Sequence, residues 1–313
     1  MTATAEAALL VIDVQGLTKI YGAKRVVDRV SLRVPRGAIY GFLGPNGSGK
    51  TTTIRMVCGL IRADEGQGAC LGFDVRRQSA EIKERVGYMT QRFSLYQDLS
   101  IRENLDVIAR LYRLDRRKQR VDQALEELGL AARRNQLAGT LSGGWKQRLA
   151  LAACMIHQPE LLLLDEPTAG VDPKARRDFW DQIRRFSAAG VTTLVSTHYM
   201  DEAVQCDSIA FIAYGRKLVD APTTEVPRQS GLAARRVSGG NLETIAESLR
   251  NQPNIALVAR FGAALHVCSE DAEALDRALL PIAALSGVLV EPIEAGLEET
   301  FIHLMARAAD NFA

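Results

Sequence analysis

The sequence predicts an α/β domain on a mostly parallel sheet, followed by a smaller α+β unit, and three observations lead there. Up to about residue 220, short apolar or β-branched runs alternate with segments of helical periodicity, the order of a parallel sheet with crossover helices. A glycine-rich loop, Gly44 to Gly49, lies between a predicted strand and a predicted helix. After Ala221-Pro222 the order becomes strand, helix, two strands, helix, strand and a last helix. The expected organisation is a disordered start over residues 1–10, the α/β domain over 11–221, and an accessory domain of ferredoxin-like βαββαβ order over 222–313.

Taken in order, 11–17 and 26–34 are roughly alternating β-branched runs parted by Tyr21-Gly22, which predicts an antiparallel strand pair. Pro35-Arg36-Gly37 turns the chain into a short apolar strand over 38–43, and Lys50 opens a helix to about Gly59. Residues 66–71 and 86–89 read as further strands. Apolar residues at three- and four-residue spacing predict helices over 101–112 and 116–128, with Gly129 as the stop. Ser142 is placed to cap a helix lasting to about His157, and 161–164 is a continuous apolar run of the buried parallel kind. Asp172-Pro173 starts a helix ending at Gly190; a strand over 192–196, a helix over 200–206 and a hairpin over 209–220 complete the domain. The accessory part reads as strands over 233–237, 255–261, 264–268 and 288–293, with helices over 242–251, 272–285 and 297–307.

Composition narrows the function classes. Of 313 residues, 47% are apolar and 24% charged, ample for a hydrophobic core. Thirty-nine basic residues against 37 acidic ones leave a net charge of only +2, which argues against a nucleic-acid-coating surface. Cys58, Cys70, Cys154, Cys206 and Cys268 are scattered and never form C-x-x-C, so buried free thiols in a reducing compartment are expected. No basic residue precedes the apolar start, and no window reaches about 18 uncharged apolar residues; neither a signal peptide nor a membrane span is expected.

The strongest local pattern is Gly44-Pro45-Asn46-Gly47-Ser48-Gly49-Lys50-Thr51, followed by Thr52, which fits G-x-x-x-x-G-K-[ST] between strand and helix. Glycines let backbone N–H groups wrap phosphate oxygens, and the helix start adds positive potential. Lys50 would reach the β- and γ-phosphates, and the Thr51 hydroxyl would ligate Mg²⁺. The bland alternative is a glycine-rich turn with an incidental lysine. The run Leu161-Leu162-Leu163-Leu164 ends in Asp165-Glu166; a strand tip sends successive side chains to opposite faces, so the two acids can differ in role. Asp165 would hold Mg²⁺ and Glu166 would accept a proton from an attacking water, unless the pair merely caps a loop. Between these, Leu141-Ser142-Gly143-Gly144-Trp145 offers a second anion site at a helix start, or simply a capped helix. One nucleotide does not need two such sites from one subunit, so this one would serve a nucleotide held by another copy.

These three motifs in this order closely resemble an ATP-binding cassette (ABC) ATPase, of P-loop NTPase type with an antiparallel β subdomain and a helical subdomain, over residues 11 to about 220. The resemblance implies ATP hydrolysis with Mg²⁺ in a head-to-tail dimer, each ATP lying between one subunit's phosphate loop and the other's Ser142 segment. It also implies roles that spacing does not reach. Tyr21 would stack on adenine, and Gln91 would contact Mg²⁺ and the attacking water. Asp172 would communicate across the dimer, and His198 would contact the γ-phosphate. Asp172 fits a plain N-cap equally well. His157, His266 and His303 read as structural. Departures are Trp145 where glutamine is usual, and Ala169 and Val171 for the usual serine and leucine.

Within that family, Ser196–Ala203 and Gly296–Phe301 resemble bacterial multidrug and antibiotic exporter ATPases. That resemblance implies a homodimer bound to separate integral membrane permease subunits at the cytoplasmic face of the inner membrane, with residues 93–105 docking a permease helix and no nucleic-acid partner. An importer ATPase, or a soluble cassette acting on ribosomes or DNA, are the competing readings. The basic run 113–120 fits a solvated helix start better than a lipid-binding surface.

Overall fold

The computed structural model describes residues 10–250 and 252–308. The described residues divide into two compact units, one ending at Lys217 and one beginning at Leu218. The stretch expected to be disordered lies outside the described residues, except Leu10.

In the first unit, β1 (Leu10–Tyr21) and β2 (Lys24–Pro35) form a long antiparallel pair closed by a two-residue turn. Then follow β3 (Ile39–Leu43), the glycine-rich loop, α1 (Lys50–Val57), β4 (Glu65–Cys70), β5 (Phe73–Asp74), α2 (Ser79–Arg85) and β6 (Val86–Met89). A helical stretch holds α3 (Ile101–Leu111), α4 (Arg117–Glu127) and α5 (Gly143–Met155). The chain continues as β7 (Leu161–Asp165), α6 (Pro173–Ala188), β8 (Thr192–Thr197), α7 (Met200–Ala203) and β9 (Ser208–Ala213), and β10 (Arg216–Pro222) runs across the boundary between the units. Strands β1, β2, β4 and β5 make an antiparallel sheet in the order β2-β1-β4-β5. Five others lie parallel in the order β9-β3-β8-β7-β6.

One apolar cluster joins the two sheets. Ile12, Val14 and Leu32 of the antiparallel sheet pack with Ile54 and Met56 of α1 and with Phe42, Leu161 and Leu194 of the parallel sheet, all buried. The parallel strands β3, β7 and β8 are buried at every residue, which explains why 161–164 of β7 read as an unbroken apolar run. The carboxyl ends of β3, β8, β7 and β6 are adjacent, the place where an open α/β sheet presents its loops to a ligand.

Several expectations need correction. The helix expected over 200–206 stops at Ala203, because Asp207 exchanges hydrogen bonds with the backbone of Ile39 at 2.8 Å and draws the chain into β9. Helix α2 carries no apolar period, its one buried residue being Ile82, and so left no trace in the pattern. Ser142 stands at the N-cap of α5, but its side chain makes no capping hydrogen bond.

The second unit opens with α8 (Val226–Gln229), another short helix without a sequence signal. There follow β11 (Ala233–Gly239), α9 (Leu242–Arg250), β12 (Leu257–Phe261), β13 (Ala264–Ser269), α10 (Ala272–Ala283), β14 (Val288–Glu294) and α11 (Leu297–Arg307). The strands are antiparallel in the order β12-β13-β11-β14. Val237, Leu265 and Val267 of the sheet pack against Ile245 and Leu249 of α9 and Leu275 and Leu279 of α10. On α11, the buried Glu299 accepts from the backbone N–H of Gly296 through Oε2 (2.8 Å), while its Oε1 lies 2.5 Å from His266 Nδ1 on β13. That carboxylate both caps the last helix and anchors it to the strand.

Candidate active site

The loop between β3 and α1 is shaped by what surrounds it. At Gly44 a Cβ would fall inside contact distance of the Ile212 carbonyl, and at Gly49 (φ 100°) it would lie 2.7 Å from the Val26 carbonyl. Only glycine fits either position. The turn after β9 braces the loop from beneath, Gly215 N–H donating to the Ser48 carbonyl at 3.1 Å. Helix α1 begins with no side-chain cap and no acid in its first turn, beside a hollow lined by Asn46, Gly47, Thr51 and Thr52. The Ser48 hydroxyl, 2% exposed as a residue, has no partner among the described residues. Unmatched donors around a glycine loop fit a phosphate chain.

Lys50 is buried, donating from Nζ to the carbonyls of Gly44 (2.7 Å) and Pro45 (3.0 Å), with Glu166 Oε1 at 3.4 Å. Burial lowers the pKa of this ammonium, and the neighbouring Glu166 and Asp165 partly offset that. Asp165, at the tip of β7, accepts at Oδ1 from Thr51 Oγ1 (3.0 Å) and from Ser196 Oγ (2.7 Å). Tyr88 O–H reaches its other oxygen at 3.4 Å.

Glu166 follows in the left-handed region (φ 47°), a conformation that disfavours a side chain of this size and turns it away from Asp165. Its N–H donates to Ser196, to Oγ at 3.0 Å and to the carbonyl at 3.1 Å. Its carboxylate receives Gln91 Nε2 at 3.0 Å and lies 3.4 Å from His198 Nδ1. The structure therefore brings together Gly44–Thr52, Gln91, Asp165, Glu166 and His198. Ser196, Tyr88 and Val26 belong there too and were not anticipated; Ser196 stands two residues before His198, the only local hint.

The remaining candidates lie elsewhere. Tyr21 is 49% exposed, with Lys19 Nζ 5.4 Å from its ring centroid. Ser142 and Gly143 are exposed at the start of α5, and Asp172 caps α6 by accepting from Ala175 N–H at 3.0 Å. None of these lines the hollow over the glycine loop. Trp145 is flanked by two guanidiniums, Arg133 at 4.7 Å and Arg148 at 5.1 Å from its ring centroid. It is engaged within its own chain and leaves the helix start open.

Among the described residues no cluster of three His, Cys, Asp or Glu side chains is arranged to hold a metal. Thr51 and Asp165 nonetheless present hard oxygens side by side, which fits Mg²⁺ bound mainly through substrate phosphates and water rather than by a protein cage.

The family profile described as ABC transporter matches residues 27–169. The daunorubicin/doxorubicin resistance ATP-binding protein DrrA of Streptomyces peucetius is 35% identical over 314 residues, covering 96% of this chain and 94% of that one. Nod factor export ATP-binding protein I of Rhizobium sp. (strain N33) is 35% identical over 300 residues, covering 95% and 97%. The probable multidrug ABC transporter ATP-binding protein YbhF of Escherichia coli (strain K12) is 41% identical over 222 residues, 70% of this chain; the match spans 38% of that longer protein. A solved structure of an ATP-binding subunit of an ABC transporter superposes with a TM-score of 0.64 at 28% identity, over 71% of this chain and 93% of that one. Kinship over nearly the whole length, joined to a phosphate loop with both acids at its mouth, places the chain in the ABC transporter family, as one of its ATP-binding and ATP-hydrolysing cassettes.

Proposed function

We propose that this cassette powers an exporter whose membrane-spanning subunits are separate chains. The relatives named for drug resistance and Nod factor export support the direction of transport. Among the described residues no helix is long and apolar enough to cross a membrane. A groove of about 300 Å³ beside Gln91, lined by Phe93, Leu95, Tyr112 and Lys146, supports docking of a permease element next to the hydrolytic centre at the cytoplasmic face of the inner membrane.

The observation that carries the hydrolytic reading is the position of Glu166, whose carboxylate is shared by Lys50, Gln91 and His198. Lys50 contacts that carboxylate and the carbonyls of Gly44 and Pro45, and Gln91 donates to the carboxylate. An incoming triphosphate competes for the Lys50 ammonium and draws it towards the β- and γ-phosphates. That leaves Glu166 to accept a proton from a water as its oxygen bonds to the γ-phosphorus and the bond to the β–γ bridging oxygen breaks. ADP and phosphate are the products. Gln91 orients that water, and His198 donates a hydrogen bond to the γ-phosphate. Thr51, Asp165 and Gln91 would hold Mg²⁺, which neutralises charge on the phosphates when bound. Tyr21 offers its exposed ring to adenine.

Ser142, Gly143, Gly144 and Asp172 serve the nucleotide of a second, identical copy in a head-to-tail dimer. We take residues 11–221 as the ATPase domain and 222–313 as the accessory domain. The strand order β12-β13-β11-β14 with two helices on one face supports a ferredoxin-like reading of the latter. Glu166→Gln is expected to cut turnover by about 10²-fold or more while trapping an ATP-bound dimer in light scattering. A variant that hydrolyses ATP normally, or stays monomeric with ATP, overturns the assignment.

A further inference from the structure

Glu202 has no role in the site described so far, yet it is the most enclosed carboxylate near it, with 0% of its surface exposed. It stands on α7, just beyond the loop of His198. Thr168, three residues past Asp165 on the loop leading to Asp172, donates its hydroxyl to Oε1 in a close contact. Thr197, the residue before His198, donates to Oε2 at 2.7 Å. Both hydroxyls are themselves buried, at 0% and 1% exposure. The Thr197 hydroxyl in turn accepts from Tyr199 N–H at 3.0 Å, so this bond bridges over His198.

Arg176, on the first turn of the helix capped by Asp172, closes the ring. Its guanidinium pairs with Asp201 at 2.8 Å, approaches Glu202 at 3.7 Å and covers the Tyr199 ring at 4.7 Å. Burying a carboxylate is costly, and a hydrocarbon side chain would fill the same space more cheaply. A carboxylate has one property that a hydrocarbon or an amide lacks: it accepts at both ends. Both threonines must then act as donors, which leaves the Thr197 oxygen free to receive Tyr199 N–H and sets the backbone on both sides of His198. A glutamine would offer an amide N–H₂ to one threonine and force that hydroxyl to turn.

We infer that Glu202 is a positioning residue that locks the His198 loop to the Asp172 loop, so that hydrolysis at one nucleotide depends on the dimer contact made through Asp172. The inference rests on the roles given above to His198 and Asp172. Glu202 touches neither nucleotide nor water; it acts through Thr197 and Thr168.

The test is steady-state phosphate release by the full-length purified chain with Mg-ATP, alongside Glu166→Gln as a control. Glu202→Gln is expected to lower kcat about tenfold, leave KM for ATP within about twofold and keep thermal unfolding cooperative. Thr168→Val is expected to lower kcat about fivefold and Thr168→Ser to restore most of it. The double variant Thr168→Val/Glu202→Gln should be no slower than Glu202→Gln alone, because the two changes cut one connection. Wild-type kcat in Glu202→Gln overturns the inference. So does a parallel loss of ATP binding and turnover, or multiplying effects in the double variant. If Glu202→Gln fails to fold, the Thr168 pair decides: equal rates for valine and serine overturn the idea. A control Glu166→Gln that still hydrolyses ATP points instead to failure of the catalytic reading itself.

Discussion

The first unit contains two helix starts suited to anions, and they are finished to different degrees. At α1 the surroundings are complete: a glycine loop, Lys50 held by two carbonyls, Thr51 bonded to Asp165, and Glu166 held by Gln91. At α5 the start is exposed, and its serine side chain makes no capping hydrogen bond. Backbone donors left open in this way are normally satisfied by a cap or a ligand. The contrast teaches that α1 is a site a single chain builds, whereas α5 leaves its first-turn donors open, as the proposed head-to-tail dimer requires.

Substitutions at the two helix starts put that difference to the test. Lys50→Ala should have the largest effect, lowering turnover by about 10²–10³-fold as a charge stabiliser is lost, with nucleotide binding by the lone subunit weakened in a fluorescent-ATP titration. Gly143→Asp should lower turnover by about 10²-fold, because a carboxylate would occupy the anion position. A Cβ at Gly143 meets nothing nearer than the Gly170 carbonyl at 3.8 Å, so the fold should be unaffected. Binding of fluorescent ATP by the monomer should survive that change; if it vanishes, the two helix starts serve one nucleotide in one chain and the contrast is wrong. Ser142→Ala should be mildest. Removing a working N-cap costs about 1 kcal/mol, but this hydroxyl makes no cap bond, so urea unfolding should shift by less than about 0.5 kcal/mol while turnover falls several-fold.

Legibility followed the range over which each feature is encoded. The phosphate loop and the Asp165-Glu166 pair are local, fixed by runs of under ten residues, and both were readable. So was the accessory order, because α9, α10 and α11 each carry an apolar face. Contacts across sequence were not readable. Gln91 meets Glu166 from 75 residues away, and nothing beside it marks it as more than a surface glutamine without the family resemblance. Ser196 and Asp165 are 31 residues apart and meet only because β7 and β8 are neighbours. The Ser142 cap is not legible because the residue type is right for capping, while its side chain makes no capping hydrogen bond.

The crowding at Gly44 bears on how such a protein can change over generations. The Ile212 carbonyl leaves no room for even a methyl group there, before any nucleotide is considered. Any variant of this chain that keeps the loop in this shape must therefore keep glycine at this corner, whatever changes elsewhere.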